Sequence, residues 1–216
     1  REIFAHDQGA AEKPMISSIL DHPKVYSLWQ APFVAQKLRP FFARRPDGFS
    51  VDQSVIELGC GPGTNAGVLG SSRYRGWDLS AEYIASAKSR FPGLEFGVAD
   101  VTTDSWVPKD GPVQAVFMNS LLHHLDDTQV ELVFKNIKRA VAVGGEVHVM
   151  DLVLPEDRSI PHLLARADRG KYARTLDHWS GLFSAHFETV DFEPYSLGLA
   201  GVNLWSMVYW RGVNRG

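Results

Sequence analysis

At 216 residues the chain is long enough for one α/β domain with a full core. Its 44% hydrophobic content excludes a disordered chain, and a net charge of −3 leaves no global basic field for nucleic acid. The single cysteine, Cys60, excludes an intrachain disulfide and fits a reducing compartment, and no apolar run approaches the ~20 residues of a membrane span.

Residues 1–13 are polar and mixed and read as a loose arm. From Pro14 to Phe42 the pattern is helical, and Pro23 and Pro32 each suit the first turn of a new helix. Tyr26, Trp29 and Phe33 recur on one helical face. Such a stripe either packs on the domain or covers a bound ligand. Arg44-Arg45-Pro46-Asp47-Gly48 reads as a loop.

Ser54 to Leu58 is a β-branched and apolar run, as a buried parallel strand should be. Gly59, Gly61 and Gly63 follow at alternate positions, where glycine permits sharp turns and close approach of backbone to a ligand. The dinucleotide fingerprint fails in either register, because the sixth position is Thr64 or Ala66 instead of glycine. A P-loop fails too, since no lysine follows the glycines. What stands here, Glu57-Leu58-Gly59-Cys60-Gly61-Pro62-Gly63-Thr64, closely resembles the first motif of class I S-adenosylmethionine-dependent methyltransferases. A plain strand-to-helix turn would leave three glycines unexplained where one suffices.

A short helix is expected at Ala66 to Leu69, then a second strand at Tyr74 to Asp78. Asp78 lies about twenty residues past the first glycine, where an acid ending the second strand can accept from two ribose hydroxyls, with Leu79 beside it. Ser80 caps a helix over Ala81 to Phe91, ended by Pro92-Gly93. Leu94 to Ala99 is a third strand closed by Asp100-Val101, and Val113 to Met118 a fourth. Asn119 to Asp127 follows at that strand's carboxyl end, the edge where open α/β sheets bind ligands. Val130, Val133, Phe134, Ile137 and Val141 form a helical stripe, and Glu146 to Asp151 a fifth strand. Pro155 to Arg174 is the least regular part and holds Arg158, His162, Arg166, Arg169, Lys171, Tyr172 and Arg174. Its charges are either a solvated face or a substrate-side addition. A helix at Thr175 to Phe187 and two strands, Glu188 to Tyr195 and Asn203 to Trp210, close the chain.

The resemblance covers residues 51–212, with its motifs concentrated in 55–151. It implies a three-layer αβα sandwich on a seven-stranded, mostly parallel sheet of order 3-2-1-4-5-7-6, strand 7 antiparallel. It divides a single domain, 1–216, into an N-terminal helical cover (1–50), a cofactor-binding core (51–154), a substrate-side insertion (155–175) and a last helix with an antiparallel strand pair (176–216). It implies S-adenosylmethionine as cofactor, with Glu57, Gly59, Cys60, Gly61 and Gly63 around its methionyl half. Asp78 and Leu79 would lie at its ribose, Asp100 and Val101 at its adenine, and Asn119 and Ser120 at the methionyl end. Small-molecule O-methyltransferases carry L-H-D-W-x-D after the fourth strand with the histidine as base; here Leu122-His123-His124-Leu125-Asp126-Asp127 makes His123 the candidate base. Tyr26, Trp29, Phe33, His124, Tyr172, Arg174 and His178 are candidate substrate or lid residues, and no metal ligand set is expected. The chain reads N-S-L-L where amino-methylating DNA and protein enzymes read N/D-P-P-Y, and no P-C motif supplies a covalent cysteine for pyrimidine C5. A small-molecule acceptor is therefore expected, in the cytoplasm, with no nucleic acid or membrane partner and the oligomeric state open. Two rival readings stand beside this one. A nicotinamide-dependent oxidoreductase requires a six-stranded, all-parallel sheet. A non-catalytic methyltransferase-like subunit would bind a partner and transfer nothing.

Overall fold

The computed structural model describes residues 23–168 and 170–216, and of residues 23–32 the backbone alone. Helix α1 runs from Pro23 to Arg44, followed by β1 (Ser54–Leu58), β2 (Arg73–Asp78), α2 (Ala81–Arg90), β3 (Glu95–Val98) and β4 (Val113–Asn119). A 3₁₀ turn at Leu122–His124 leads to α3 (Asp127–Ala140), β5 (Val141–Leu152), α4 (Ile160–Ala167), α5 (Leu176–Ser184), β6 (Glu188–Leu199) and β7 (Val202–Val213). The seven strands form one sheet of order β3-β2-β1-β4-β5-β7-β6. The β1 to β5 pairings are parallel, and β7 runs antiparallel to both β5 and β6. This is the order expected from the sequence, and it excludes the six-stranded, all-parallel sheet of the nicotinamide alternative.

β1 is buried on both faces, with Val55, Ile56 and Leu58 inaccessible, so its near-continuous apolar run is what a central parallel strand requires. One face of the sheet packs Ile56, Leu58, Val116 and Val147 against α3 and α5. On that side Trp179, Phe183 and Trp210 stack in sequence, with ring centroids 5.3 and 4.5 Å apart. The other face packs Val55, Phe117 and Tyr209 against Phe33, Leu38 and Phe41 of α1. Asp126 caps α3 through a reciprocal box with Gln129, as its D-x-x-Q spacing dictates.

Several expected boundaries differ. α1 runs through Pro32 without a break, because a proline inside a helix removes one hydrogen bond and bends the axis while flanking turns persist. The helix expected at Ala66 to Leu69 is instead a series of turns, in which the amides of Val68 and Leu69 both close on the Asn65 carbonyl. β6 and β7 extend into a long hairpin closed by Ala200 and Gly201, both at positive φ, as a two-residue primed turn needs. The irregular segment holds α4, which the sequence did not reveal. Among the described residues no helix is long and apolar enough to cross a membrane.

Candidate functional site at the carboxyl edge of the sheet

The loop after β1 is built by its glycines. Gly59, Gly61 and Gly63 have φ of +70°, +53° and +76°. A Cβ on Gly59 would also stand 2.9 Å from Leu121 Cδ1. The amides of Gly59 and Cys60 donate to the Trp77 carbonyl, 2.8 and 3.1 Å away, which ties the loop to the end of β2. Asp78 completes the tie: Oδ2 accepts from the Gly61 amide at 2.9 Å and Oδ1 from the Ser80 amide at 2.8 Å. Burial pushes the Asp78 carboxyl above its ordinary pKa, against the opposing pull of those amides.

Glu57 is fully buried and does not reach the cleft beside this loop. Its Oε1 accepts from Asn65 Nδ2 at 2.6 Å and its Oε2 from the Tyr74 hydroxyl at 2.5 Å. The sequence put Glu57 among the cofactor contacts; in the structure it braces the glycine loop from beneath. Burial pushes its pKa up to about 7, although both donors oppose the rise. An acid whose folded pKa lies above its unfolded value binds an extra proton in the folded state between the two. The Glu57 contribution to stability should therefore fall as pH rises from about 4.5 to about 7, by about 3 kcal/mol, and then level off. Urea denaturation at pH 5 and pH 7 checks this below most of the window in which His123 titrates, and Glu57→Gln should shrink the difference. Equal parental stability at the two pH values would contradict it.

The cleft is lined by the glycine loop, by Asn119 and Ser120 after β4, and by Val34 and Lys37 of α1. Ser120 has a positive φ of 58°, and its amide donates to Met150 O of β5 at 2.8 Å. Lys37 Nζ donates to Ser120 Oγ at 2.9 Å. Burial lowers the Lys37 pKa to about 8, with Asp151 and Asp168 opposing the fall. Nothing in the sequence separates Lys37 from an ordinary solvated lysine; only the docking of α1 brings it here.

His123 follows in the 3₁₀ turn and is buried. Its Nδ1 lies 2.6 Å from Asp151 Oδ1 and its Nε2 lies 3.3 Å from Asp168 Oδ1. Burial alone would lower its pKa, but the two carboxylates hold it up at about 9. Both ring nitrogens are thus engaged, and neither offers a lone pair to an acceptor hydroxyl. The sequence expectation of a general base at His123 does not fit this geometry. The two partners come from the end of β5 and from the turn after α4, which no local spacing links to His123.

The remaining candidates divide. Arg174 is buried away from the cleft, where Nη1 donates to Leu122 O and Tyr172 O and Nη2 to Leu125 O. Its Nε pairs with Asp127 and its guanidinium lies 4.7 Å from the Trp179 ring centroid. It holds the turn that carries His123 and does not line the cleft. His178 bonds Asp127 at the surface, 3.0 Å away. Tyr172 is exposed, its amide donating to His123 O. His124 is exposed beside His123, with ring centroids 4.2 Å apart. Phe33 belongs to the core, and the side chains of Tyr26 and Trp29 lie outside the described residues. Asp100 is exposed, its Oδ1 accepting from the Thr102 amide and hydroxyl, while Val101 is buried and Leu79 exposed. Arg158, Arg166 and Lys171 are exposed and do not line the cleft, and Arg169 lies outside the described residues.

Comparison with known proteins bears on this site. Residues 55–145 match the methyltransferase domain family profile, a span from β1 into β5 that contains the glycine loop, Asp78, Asp100 and Asn119. Over this span the chain is similar to the class I S-adenosylmethionine-dependent methyltransferases. It is 32% identical over 118 residues to trans-aconitate 2-methyltransferase of Variovorax paradoxus, covering 52% of this chain and 43% of that protein. Thus the chain spans about half or less of the length of the curated relatives it matches. Among solved structures, phosphoethanolamine N-methyltransferase 2 of Haemonchus contortus superposes with a TM-score of 0.69 at 15% identity, over 93% of this chain and 59% of that one. A methyltransferase of Methanosarcina mazei superposes with a TM-score of 0.65 at 16% identity, over 80% and 98%. At such identities these two likenesses speak to the fold.

The cleft suits a zwitterionic ligand. Thr64 Oγ1 and Asn65 Oδ1 are buried without a hydrogen-bond partner among the described residues, and both residues line it. A hydroxyl and an amide oxygen offered beside an ammonium match an amino acid's charged ends. The residues present therefore fit the methionyl half of S-adenosylmethionine.

Proposed function

We propose that this methyltransferase binds S-adenosylmethionine over the Gly59–Gly63 loop and methylates a small anionic acceptor, such as a carboxylate. The carrying observation is the loop itself, three left-handed glycines clasped by Asp78 beside a cleft with unsatisfied Thr64 and Asn65. When bound, the cofactor supplies the methyl group on a sulfonium that leaves as a neutral sulfide. The chain's own residues bind, align and exclude water. Asp78 would accept from the ribose hydroxyls, Asp100 and the Val101 amide would meet the adenine, and Asn119 and Ser120 the methionyl end.

An anionic acceptor is favoured because no described histidine or carboxylate lines the cleft as a base, while Lys37 brings an amine, hydrogen-bonded to Ser120, to its wall. A carboxylate is already a nucleophile and needs no proton removed, so alignment alone can carry the transfer. The relatives named for trans-aconitate agree with that class.

Calorimetry with S-adenosylmethionine and NAD, then transfer of a labelled methyl to a panel of carboxylate, hydroxyl and amine acceptors, tests both parts. Heat with S-adenosylmethionine alone and label on carboxylates are expected. Heat with NAD only would overturn the cofactor, and label confined to neutral acceptors would overturn the acceptor class.

A further inference from the structure

We propose that His123, His124 and Asp168 form a binding site for one divalent first-row transition cation at the carboxyl edge of the sheet. Each residue offers a ligand atom, and these atoms all lie within 4.8 Å of one another. His123 Nε2 and Asp168 Oδ1 are 3.3 Å apart. That is the separation of two neighbouring ligands that each stand about 2.1 Å from a shared ion.

The surroundings of these groups are those of a ligand set. Asp151 takes the other ring nitrogen of His123 at 2.6 Å, which fixes the ring with Nε2 facing Asp168. A carboxylate behind a histidine is the usual outer partner of a metal-bound imidazole. Asp151 is itself fixed by the amides of Leu122 and Leu152, each at 2.7 Å. Asp168 is aimed by its own turn, where the Gly170 amide donates to Oδ1 at 2.8 Å. A Cβ at Gly170 would fall 2.0 Å from His123 Cδ2, so glycine is what lets this turn close over the ring. Three segments distant in sequence thus meet at one point.

Two imidazoles and one carboxylate favour zinc, iron, cobalt or nickel over calcium or magnesium, which prefer an all-oxygen shell. Three protein ligands leave positions open to water or to an anionic oxygen. On binding, the cation takes the Nε2 lone pair and the proton there passes to solvent. The rival occupant is that proton, which leaves His123 as an imidazolium between two carboxylates. The site stands independently of the methyl-transfer reading.

The test uses the whole chain, treated with chelator and titrated with Zn²⁺ by calorimetry at pH 7.5. One equivalent should bind, and Co²⁺ in its place should give visible absorption bands. His124→Ala and Asp168→Asn should each weaken Zn²⁺ by roughly tenfold or more, while His178→Ala, at the separate surface pair with Asp127, should not. His124 is exposed, so its variant should fold and can decide alone if Asp168→Asn does not. No stoichiometric uptake, or equal uptake by parent and His124→Ala, would overturn the proposal.

Discussion

Replacing Asp78 with alanine should lower the affinity for S-adenosylmethionine by about 100-fold or more, close to 3 kcal/mol. The carboxylate has two tasks. It clasps the loop through the Gly61 amide and the next helix through the Ser80 amide. Each oxygen retains a lone pair, and these would receive the ribose hydroxyls. Hydrogen bonds to a charged group contribute about 1.5–3 kcal/mol each, so losing several exceeds a hundredfold change even with partial compensation by water. The loop would also lose the clasp that holds Gly61 in its left-handed conformation. Asp78→Asn keeps one acceptor and should cost nearer tenfold. Titration calorimetry on both variants measures this directly. Alanine binding within a few-fold of the parent would remove Asp78 from the ribose.

Arg174→Met should destabilise the fold by about 3–5 kcal/mol, because buried main-chain carbonyls lose a charged donor and the packing on Trp179 is disturbed. The guanidinium is 4% exposed and satisfies three main-chain carbonyls, those of Leu122, Leu125 and Tyr172. Methionine fills much of the space but leaves the Leu125 and Tyr172 carbonyls dry, while Leu122 O keeps the Leu125 amide at 3.0 Å. A stranded buried acceptor costs about 1–3 kcal/mol, less where water can enter. For a chain of this size the loss corresponds to a drop in Tm of about 6–20 °C. Lysine should not rescue it, because a single ammonium cannot reach carbonyls on both sides of the fork while pairing with Asp127. Thermal denaturation followed by circular dichroism checks the pair. A Tm within about 2 °C of the parent in Arg174→Met would show that the carbonyls find other donors.

The two variants also separate what could be read along the chain from what could not. The glycine loop was legible because its chemistry is local: alternate glycines after an apolar strand, then an acid ending the next strand. The strand and helix sequence was legible for the same reason, through period-two and period-3.6 patterning, and the sheet order came with the family resemblance. Boundaries drifted where packing overrode local signals. α1 carries Pro32 inside it, and β6 and β7 extend well past their alternating segments because each completes the other's hydrogen bonds.

The sequence by itself determined the class of fold and the cofactor loop, since both are written in neighbouring residues. Only the tertiary structure decided the roles of single side chains. Arg174 reads as one more basic residue in a charged stretch until the turn before α3 and Trp179 of α5 enclose it. His123 reads as a base until Asp151 and Asp168 arrive on either side of its ring. Lys37 reads as a surface lysine until α1 docks against Ser120. Glu57 reads as a ligand contact until Tyr74 and Asn65 cover it. The physical reason is common to all four. A titratable group's role depends on burial and on the charges within a few ångströms, and those charges come from segments distant in the chain.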